Sequence, residues 1–490
     1  MPAKSLLCVT VTGRTMAELR ERRDAVSGAD LVELRLDTAA DPSPAAALAG
    51  RRTPVIITCR PRWEGGSFDG AEEDRKRLLE DALNLGANYV DIEWRAGFTD
   101  VLQRTGGRRV ILSMHDFERI PTDLAAQVQA MRSTGADVVK VAATPSRLAD
   151  TVALLDLEAQ AGDGRLVVIG MGDYGVATRV LAARFGSKWT YAGPIAEVGQ
   201  LDAATLIKQY GFASITRSTA VYGIVGGSVR HSVSPAMHNA AFREMGIDAV
   251  YVPMPAVSAD DFVTFGRAIG IKGASITIPH KVTLFDRVDE LYAVARRVGA
   301  INTIRVEGTR WVGGNTDAQG FLEPLQARIA LQGLRASVLG AGGAARAVAA
   351  ALASTGAHVT LHARDRAKAQ DVAGFTSAAV GDWPPRPGSW DLLINTTPVG
   401  TYPRIDETPI AKTDLTGPYV YDLVYNPPIT RLLRDAAEMG CQTFGGLDML
   451  VAQAHEQFHW WTGTRAPAGV MREAALKRLA EFTRYENHVV

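Results

Sequence analysis

Cysteine is scarce in this sequence: Cys8, Cys59 and Cys441 are the only three in 490 residues, and no two of them form a CxxC pair. That excludes a disulfide framework or a zinc site built on paired thiols and fits a reducing, cytoplasmic setting. Net charge is absent too, because 53 Lys and Arg balance 53 Asp and Glu. No overall field favours nucleic acid or an anionic membrane, which leaves small molecules as the expected partners. Uncharged apolar runs never approach the roughly 18 residues that a transmembrane helix needs. The stretch from Leu6 to Val11 is too short, after too weakly basic a start, for a signal peptide. A soluble protein is expected, and with no cluster of metal-ligand spacing, no metal.

What is present is the rhythm of two different α/β halves. A chain of 490 residues exceeds one hydrophobic core and implies roughly two to four domains. From Leu6 to about Leu206 short apolar runs alternate with helical patterns, and eight candidate strands begin at Leu6, Asp30, Pro54, Asn88, Arg109, Ala136, Arg165 and Lys188. Eight such repeats predict a (β/α)8 TIM barrel, whose catalytic side chains sit at strand C-terminal ends. The weakly periodic segment from Gln209 to Ala220 is the expected linker. Beyond it, Val221-Tyr-Gly-Ile-Val-Gly-Gly opens a second half, and the apolar run from Ala336 to Leu339 leads into a further Gly-rich turn.

Polar residues recur at the ends of the first eight strands. Strand two ends Val-Glu33-Leu-Arg35-Leu-Asp37, strand three is followed by Arg60 and Glu64, strand four carries Asp91 and Glu93, and strands five and six end at His115 and Lys140. Glu33 and Arg35 are two apart and point the same way, either as a buried ion pair or as part of a site. Lys140, in Asp-Val-Val-Lys-Val-Ala, is expected among apolar neighbours and other cations, a setting that lowers a lysine's pKa and frees its amine for Schiff-base formation. A snorkelling lysine is the alternative. His115 titrates near working pH and can shuttle protons, or serves packing alone.

Together, Val-Glu33-Leu-Arg35-Leu-Asp, Arg60-Pro-Arg-Trp-Glu64-Gly-Gly, Met-His115-Asp-Phe and Lys140 make this half resemble type I 3-dehydroquinate dehydratase. The resemblance implies that Lys140 condenses with the substrate ketone and His115 moves protons so that water leaves by syn elimination. It further implies that Glu64 supports His115, while Glu33, Arg35, Arg60, Arg179 and Gln200 hold hydroxyls and carboxylate. One departure is Ala196-Glu-Val-Gly-Gln200, where the family has Ser-Ala-Pro-Gly-Gln; the missing serine bears on lid behaviour.

In the second half Ser232 and Ser234 are two apart after a Gly-rich turn, able to offer two hydroxyls to one carboxylate or serving as ordinary loop residues. Lys281 follows a strand end, and Asp317 lies in the turn Gly-Gly-Asn-Thr-Asp; such a pair can stabilise an alkoxide and relay its proton. Gly340-Ala341-Gly342-Gly343-Ala344-Ala345 fits the dinucleotide fingerprint, in which small residues let backbone approach a pyrophosphate at a helix N-terminus.

With Gly-Ala-Ile-Asn302-Thr, Ile-Asn395-Thr396-Thr, Tyr-Asp422-Leu-Val-Tyr425-Asn-Pro and Gly-Leu-Asp-Met-Leu-Val-Ala-Gln453, this half resembles shikimate dehydrogenase from Val221 to about Arg484. The resemblance implies that Lys281 and Asp317 are catalytic, that Ser232, Ser234, Thr277, Asn302, Tyr425 and Gln453 surround shikimate, and that Gly340 to Ala344, Arg364 and Thr396 bind NADP. It divides the chain into a barrel over 1–212, an α/β substrate-binding domain over 219–323 completed by helices of about 455–490, and a Rossmann domain over 324–454. A monomer or homodimer is expected.

Ser275 stands where many relatives have asparagine, which leaves quinate open as a substrate. Counting about 20 residues from Gly340 reaches His362 to Arg364 rather than the acid of an NAD enzyme, which favours NADP. Asp365 beside Arg364 repels a phosphate if it turns inward; the expected role is to cap the following helix. A ligand-binding regulator descended from such enzymes would lack catalytic side chains, and Lys140, His115, Lys281 and Asp317 are all present.

Overall fold

Alternation of apolar and polar residues decides where each side chain of the first half points. The computed structural model describes residues 4–161, 163–195, 198–467 and 469–486. Strands β1 (Leu6–Val11), β2 (Leu31–Arg35), β3 (Val55–Thr58), β4 (Tyr89–Glu93), β5 (Val110–Asp116), β6 (Val138–Ala143), β7 (Leu166–Gly170) and β8 (Trp189–Ala192) form one sheet of order β7-β6-β5-β4-β3-β2-β1-β8. Each begins within two residues of its expected start. Neighbours are parallel, and at the seam the Lys188 N–H donates to the Leu166 carbonyl at 2.7 Å, nearly closing the barrel.

Inside the barrel a lower layer is apolar, with Cys8, Leu31, Ile56, Ile111, Val138, Val167 and Trp189 packed together. Two residues further along their strands come Thr10, Glu33, Thr58, Ser113 and Lys140, all buried. Because side chains two apart share a face, the floor that seals the barrel and the polar layer above it lie on the same strands.

By internal contacts the chain falls into two units, one of residues 1–221 with 248–257 and 261–270, the other of residues 222–247, 258–260 and 271–490. β9 (Ala220–Gly226) leads into the second, and β10 (Ala249–Pro255) is counted with the first. In the second unit β11 (Gly273–Ile276) runs parallel to β9 and antiparallel to β13 (Thr303–Glu307); β13 pairs antiparallel with β14 (Arg310–Gly314), which runs beside β12 (Glu290–Leu291).

A second sheet of that unit has the order β17-β16-β15-β18-β19-β20, all parallel: β15 (Arg335–Leu339), β16 (His358–His362), β17 (Ala379–Val380), β18 (Leu392–Asn395), β19 (Tyr419–Asp422) and β20 (Gln442–Gly445). The Gly-rich turn leaves the central strand β15 and starts the helix Gly343–Ser354, the Rossmann arrangement. Gly340 has φ +118°, a conformation that side chains rarely adopt, and an added Cβ would lie 2.5 Å from Thr396 Oγ1. Among the described residues no helix is long and apolar enough to cross a membrane.

Candidate active sites

Lys140 lies in the barrel with its Nζ 2.8 Å from Asp91 Oδ2 and 3.8 Å from Glu33 Oε1, over the Tyr191 ring at 4.6 Å from its centroid. This corrects one expectation: the charges nearest Nζ are carboxylates, because β2 and β4 each direct an acid into the polar layer. Glu33 also accepts from Thr10 at 2.8 Å and Thr58 at 2.9 Å. Arg60 bridges Asp91 at 3.0 Å and Glu93 at 2.7 Å, and the fully buried Arg75 meets the other oxygen of Glu93. Burial alone raises the Asp91 carboxyl, yet Arg60 and Lys140 hold it well below the usual carboxylate range. Glu93 differs, since burial pushes it up even against Arg60 and Arg75.

His115, next to last in β5, has its Nδ1 3.0 Å from Glu64 Oε1, which also accepts the His115 backbone N–H at 3.0 Å. An ionised Glu64 accepts only, so Nδ1 carries the imidazole proton and Nε2 is left as the base. Burial and the nearby cations Arg60 and Lys140 hold the imidazole well below its ordinary value, hence neutral at neutral pH. Burial pushes Glu64 up to about 7.

The remaining expected residues sit on the rim. Arg35 pairs with Asp37 rather than Glu33, through two bonds of 2.8 and 2.7 Å, and Asp37 accepts from the Ser67 backbone at 3.1 Å, tying strand β2 to the loop that carries Glu64. Arg179 donates to the Val198 carbonyl at 2.6 Å, its Nε finds no acceptor among the described residues, and burial lowers its guanidinium to about 10. A buried cation with an unused donor suits an anionic ligand. Gln200 Oε1 accepts from the Ile195 backbone at 3.1 Å. Ala196, the departure from the family's serine, lies outside the described residues.

In the second unit Lys281 pairs with Asp317 Oδ2, while the other oxygen of Asp317 accepts from Asn302 Nδ2 at 2.7 Å. Asn302 also meets Thr316 Oγ1 at 2.9 Å and Gln453 Oε1 at 3.4 Å, and its own carbonyl oxygen Oδ1 accepts the Thr316 N–H at 2.7 Å. Two chain segments besides its own thereby converge on one carboxylate. Ser234 N–H donates to Ser232 Oγ at 3.2 Å. No side-chain bond joins Ser232, Ser234, Thr277 or Tyr425 to the Lys281–Asp317 pair among the described residues. Burial raises the Tyr425 phenol.

An added Cβ on Gly342 would meet nothing within 4 Å, whereas one on Gly343 would lie 3.1 Å from Lys281 Cδ. Gly342 therefore borders open space at the helix start, and Gly343 makes room for the stem of Lys281. Thr396 Oγ1 donates to the Leu339 carbonyl at 2.6 Å, fixing the turn. Asp365 caps its own helix, Oδ1 accepting the Lys368 N–H at 3.2 Å, which leaves the exposed Arg364 as the charge beside it. Asp37, Asp91 and Glu93 stand among the polar strand-end residues of the sequence but carry no role there, and nothing in the sequence points to Tyr191 or Thr316 as part of a site.

Three family models match the chain: type I 3-dehydroquinase over residues 7–217, the shikimate dehydrogenase substrate binding domain over 224–304, and the shikimate 5'-dehydrogenase C-terminal domain over 446–476. A chloroplastic bifunctional 3-dehydroquinate dehydratase/shikimate dehydrogenase of Arabidopsis thaliana is 33% identical over 510 residues, spanning 94% of this chain and 83% of that protein. A shikimate dehydrogenase (NADP(+)) of Methanopyrus kandleri is 40% identical over 284 residues, 54% of this chain and 98% of that protein. A crystal structure of shikimate dehydrogenase in complex with NADP+ matches with a TM-score of 0.52 and 34% identity, covering 54% of this chain and 97% of its own.

Proposed function

Because this chain belongs to the bifunctional 3-dehydroquinate dehydratase/shikimate dehydrogenase family, we infer that it dehydrates 3-dehydroquinate to 3-dehydroshikimate and reduces that ketone to shikimate with NADPH. The observation that carries this reading is the pairing, in one chain, of a barrel lysine between carboxylates with a Lys281–Asp317 pair beside a dinucleotide turn. We assign dehydration to residues 1–212, the dehydrogenase substrate domain to 219–323 with helices of about 455–490, and cofactor binding to 324–454. The working form is a cytoplasmic monomer or homodimer, a setting that three free, buried cysteines fit.

In dehydration the Lys140 amine adds to the ketone and water departs, leaving an iminium cation beside Asp91 and Glu33. That cation acidifies the adjacent C–H, Nε2 of His115 takes the proton, and the same imidazolium returns it to the departing hydroxyl, which fits syn elimination. Hydrolysis of the iminium restores the lysine. Glu33, Arg35, Arg60, Arg179 and Gln200 hold hydroxyls and carboxylate.

Since Glu64 must be ionised to keep the Nδ1 tautomer, kcat/KM for dehydration rises with pH through about 7. A pH series checks this: Glu64→Gln lacks that limb, and a flat profile between pH 6 and 8 in the unmutated enzyme contradicts it.

NADPH supplies a hydride when bound. Lys281 then gives its proton to the oxygen of the reduced carbon, and Asp317, steadied by Asn302, holds that ammonium in place. Ser232, Ser234, Thr277, Asn302, Tyr425 and Gln453 hold the substrate. The open space at Gly342, the helix N-terminus behind it and the exposed Arg364 fit a dinucleotide with a 2′-phosphate, while Gly340, Ala341, Gly343, Ala344 and Thr396 shape the turn. Charge-assisted contacts of about 1.5 to 3 kcal/mol give NADP a preference of roughly ten- to a hundredfold over NAD. Kinetics with both cofactors decide this: Arg364→Ala erases most of the preference, and equal kcat/KM with NAD in the unmutated enzyme overturns it.

A further inference from the structure

The helix Gly446–Thr462 lies along β13 and reaches it at one-turn intervals from a single face. Gln453 Oε1 meets Asn302 Nδ2 at 3.4 Å, Gln457 Nε2 donates to the Asn302 carbonyl at 3.1 Å, and Trp461 Nε1 donates to the Ile304 carbonyl at 3.0 Å. Gly273 on β11 permits that approach, since a Cβ there would lie 2.7 Å from Trp461 Nε1. The middle rung does more than fasten the helix. Gln457 is 1% exposed, and its Oε1 accepts the Ser275 hydroxyl proton at 2.6 Å. Its amide thus clamps β11 to β13 at the residue whose side chain holds Asp317.

We propose that Gln457 is a positioning residue for ketone reduction, acting through the chain Ser275, Gln457, Asn302 and Asp317 to set the Lys281–Asp317 pair. This rests on the dehydrogenase reading above. The Asn302 carbonyl accepts both the Ile276 N–H at 2.7 Å and Gln457 Nε2, and its N–H donates to the Gly314 carbonyl at 3.1 Å. Removing Gln457 takes away the helix-side bond to the Asn302 carbonyl and leaves that residue to its strand pairing and to its side-chain bonds with Thr316, Gln453 and Asp317. Its side-chain bond to Asp317, at 2.7 Å, slackens with it. A displacement of this kind misplaces the reacting pair and so costs rate. The same chain gives Ser275 a role: its proton is directed at Gln457, so it acts on the site through the helix.

The test compares Gln457→Leu, Ser275→Ala and the double variant in the full chain, measuring kcat and KM for 3-dehydroshikimate reduction, with dehydration in the same molecule as the control for folding. Gln457→Leu lowers reduction kcat by roughly ten- to a hundredfold with the NADPH KM unchanged and dehydration intact. Ser275→Ala loses less in the same direction, and the double variant is no worse than Gln457→Leu because the two act as one unit. If Gln457→Leu does not fold, the kcat of Ser275→Ala carries the test. Reduction kcat within twofold of the unmutated value, or losses that multiply in the double variant, overturns the proposal. A different result defeats the underlying reading instead: an unmutated chain that does not reduce 3-dehydroshikimate, or that still does after Lys281→Ala.

Discussion

Lys140→Ala abolishes dehydration of 3-dehydroquinate and leaves shikimate oxidation at its unmutated rate. No other side chain in the barrel's polar layer can replace the amine: its neighbours are carboxylates, and Arg60 keeps its proton, with its guanidinium pushed further up by Asp91 and Glu93 against the effect of burial. Alanine also strips a cation from between two buried acids, an imbalance worth about 3 to 5 kcal/mol when a buried pair loses one member. Lys140→Arg separates the two effects, restoring charge but not the ability to condense with a ketone, so it recovers thermal stability without dehydration. Borohydride added with 3-dehydroquinate or its product reduces the imine in the unmutated enzyme. One ligand mass then appears on the peptide carrying Lys140; no adduct, or an adduct on another lysine of the active enzyme, contradicts the Schiff-base assignment.

Lys281→Ala does the reverse, lowering ketone reduction by roughly two to four orders of magnitude, the range of general acid–base catalysis and about 3 to 5 kcal/mol of barrier. Asp317 keeps Asn302 as a donor at 2.7 Å, so the carboxylate stays satisfied and the fold survives. Dehydration is spared because the groups assigned to it, Lys140, His115 and Glu64, all belong to the barrel. Steady-state rates of both reactions on each variant check the separation, and a folded single variant that loses both activities would falsify it.

The architecture was legible because apolar runs alternate with helical stretches at short, even spacing, so each barrel strand begins where its run begins. Site membership was legible where a motif is local, as in Met-His115-Asp-Phe or the turn from Gly340 to Ala344. What stayed hidden was pairing. Lys140 meets Asp91 across 49 residues and Arg60 meets Glu93 across 33, separations set by the order of strands around the barrel. Hence a lysine read as lying among cations stands between acids, and Arg35 turns from Glu33 to Asp37. Asp365 was ambiguous because the same carboxylate can turn inward toward a phosphate or cap the following helix; in the structure its Oδ1 accepts the Lys368 N–H. Ser275 carried no sign of Gln457, 182 residues away on a helix whose seat on β13 no local pattern reveals.

The most direct test of two consecutive reactions on one chain is to supply 3-dehydroquinate and NADPH to the purified protein and follow NADPH absorbance alongside shikimate. One NADPH is oxidised for each shikimate formed, starting from 3-dehydroquinate. With Lys140→Ala that oxidation vanishes, and it returns when 3-dehydroshikimate is supplied in place of 3-dehydroquinate. Unmutated protein that forms no shikimate from 3-dehydroquinate, or a Lys140→Ala variant that still does, contradicts it.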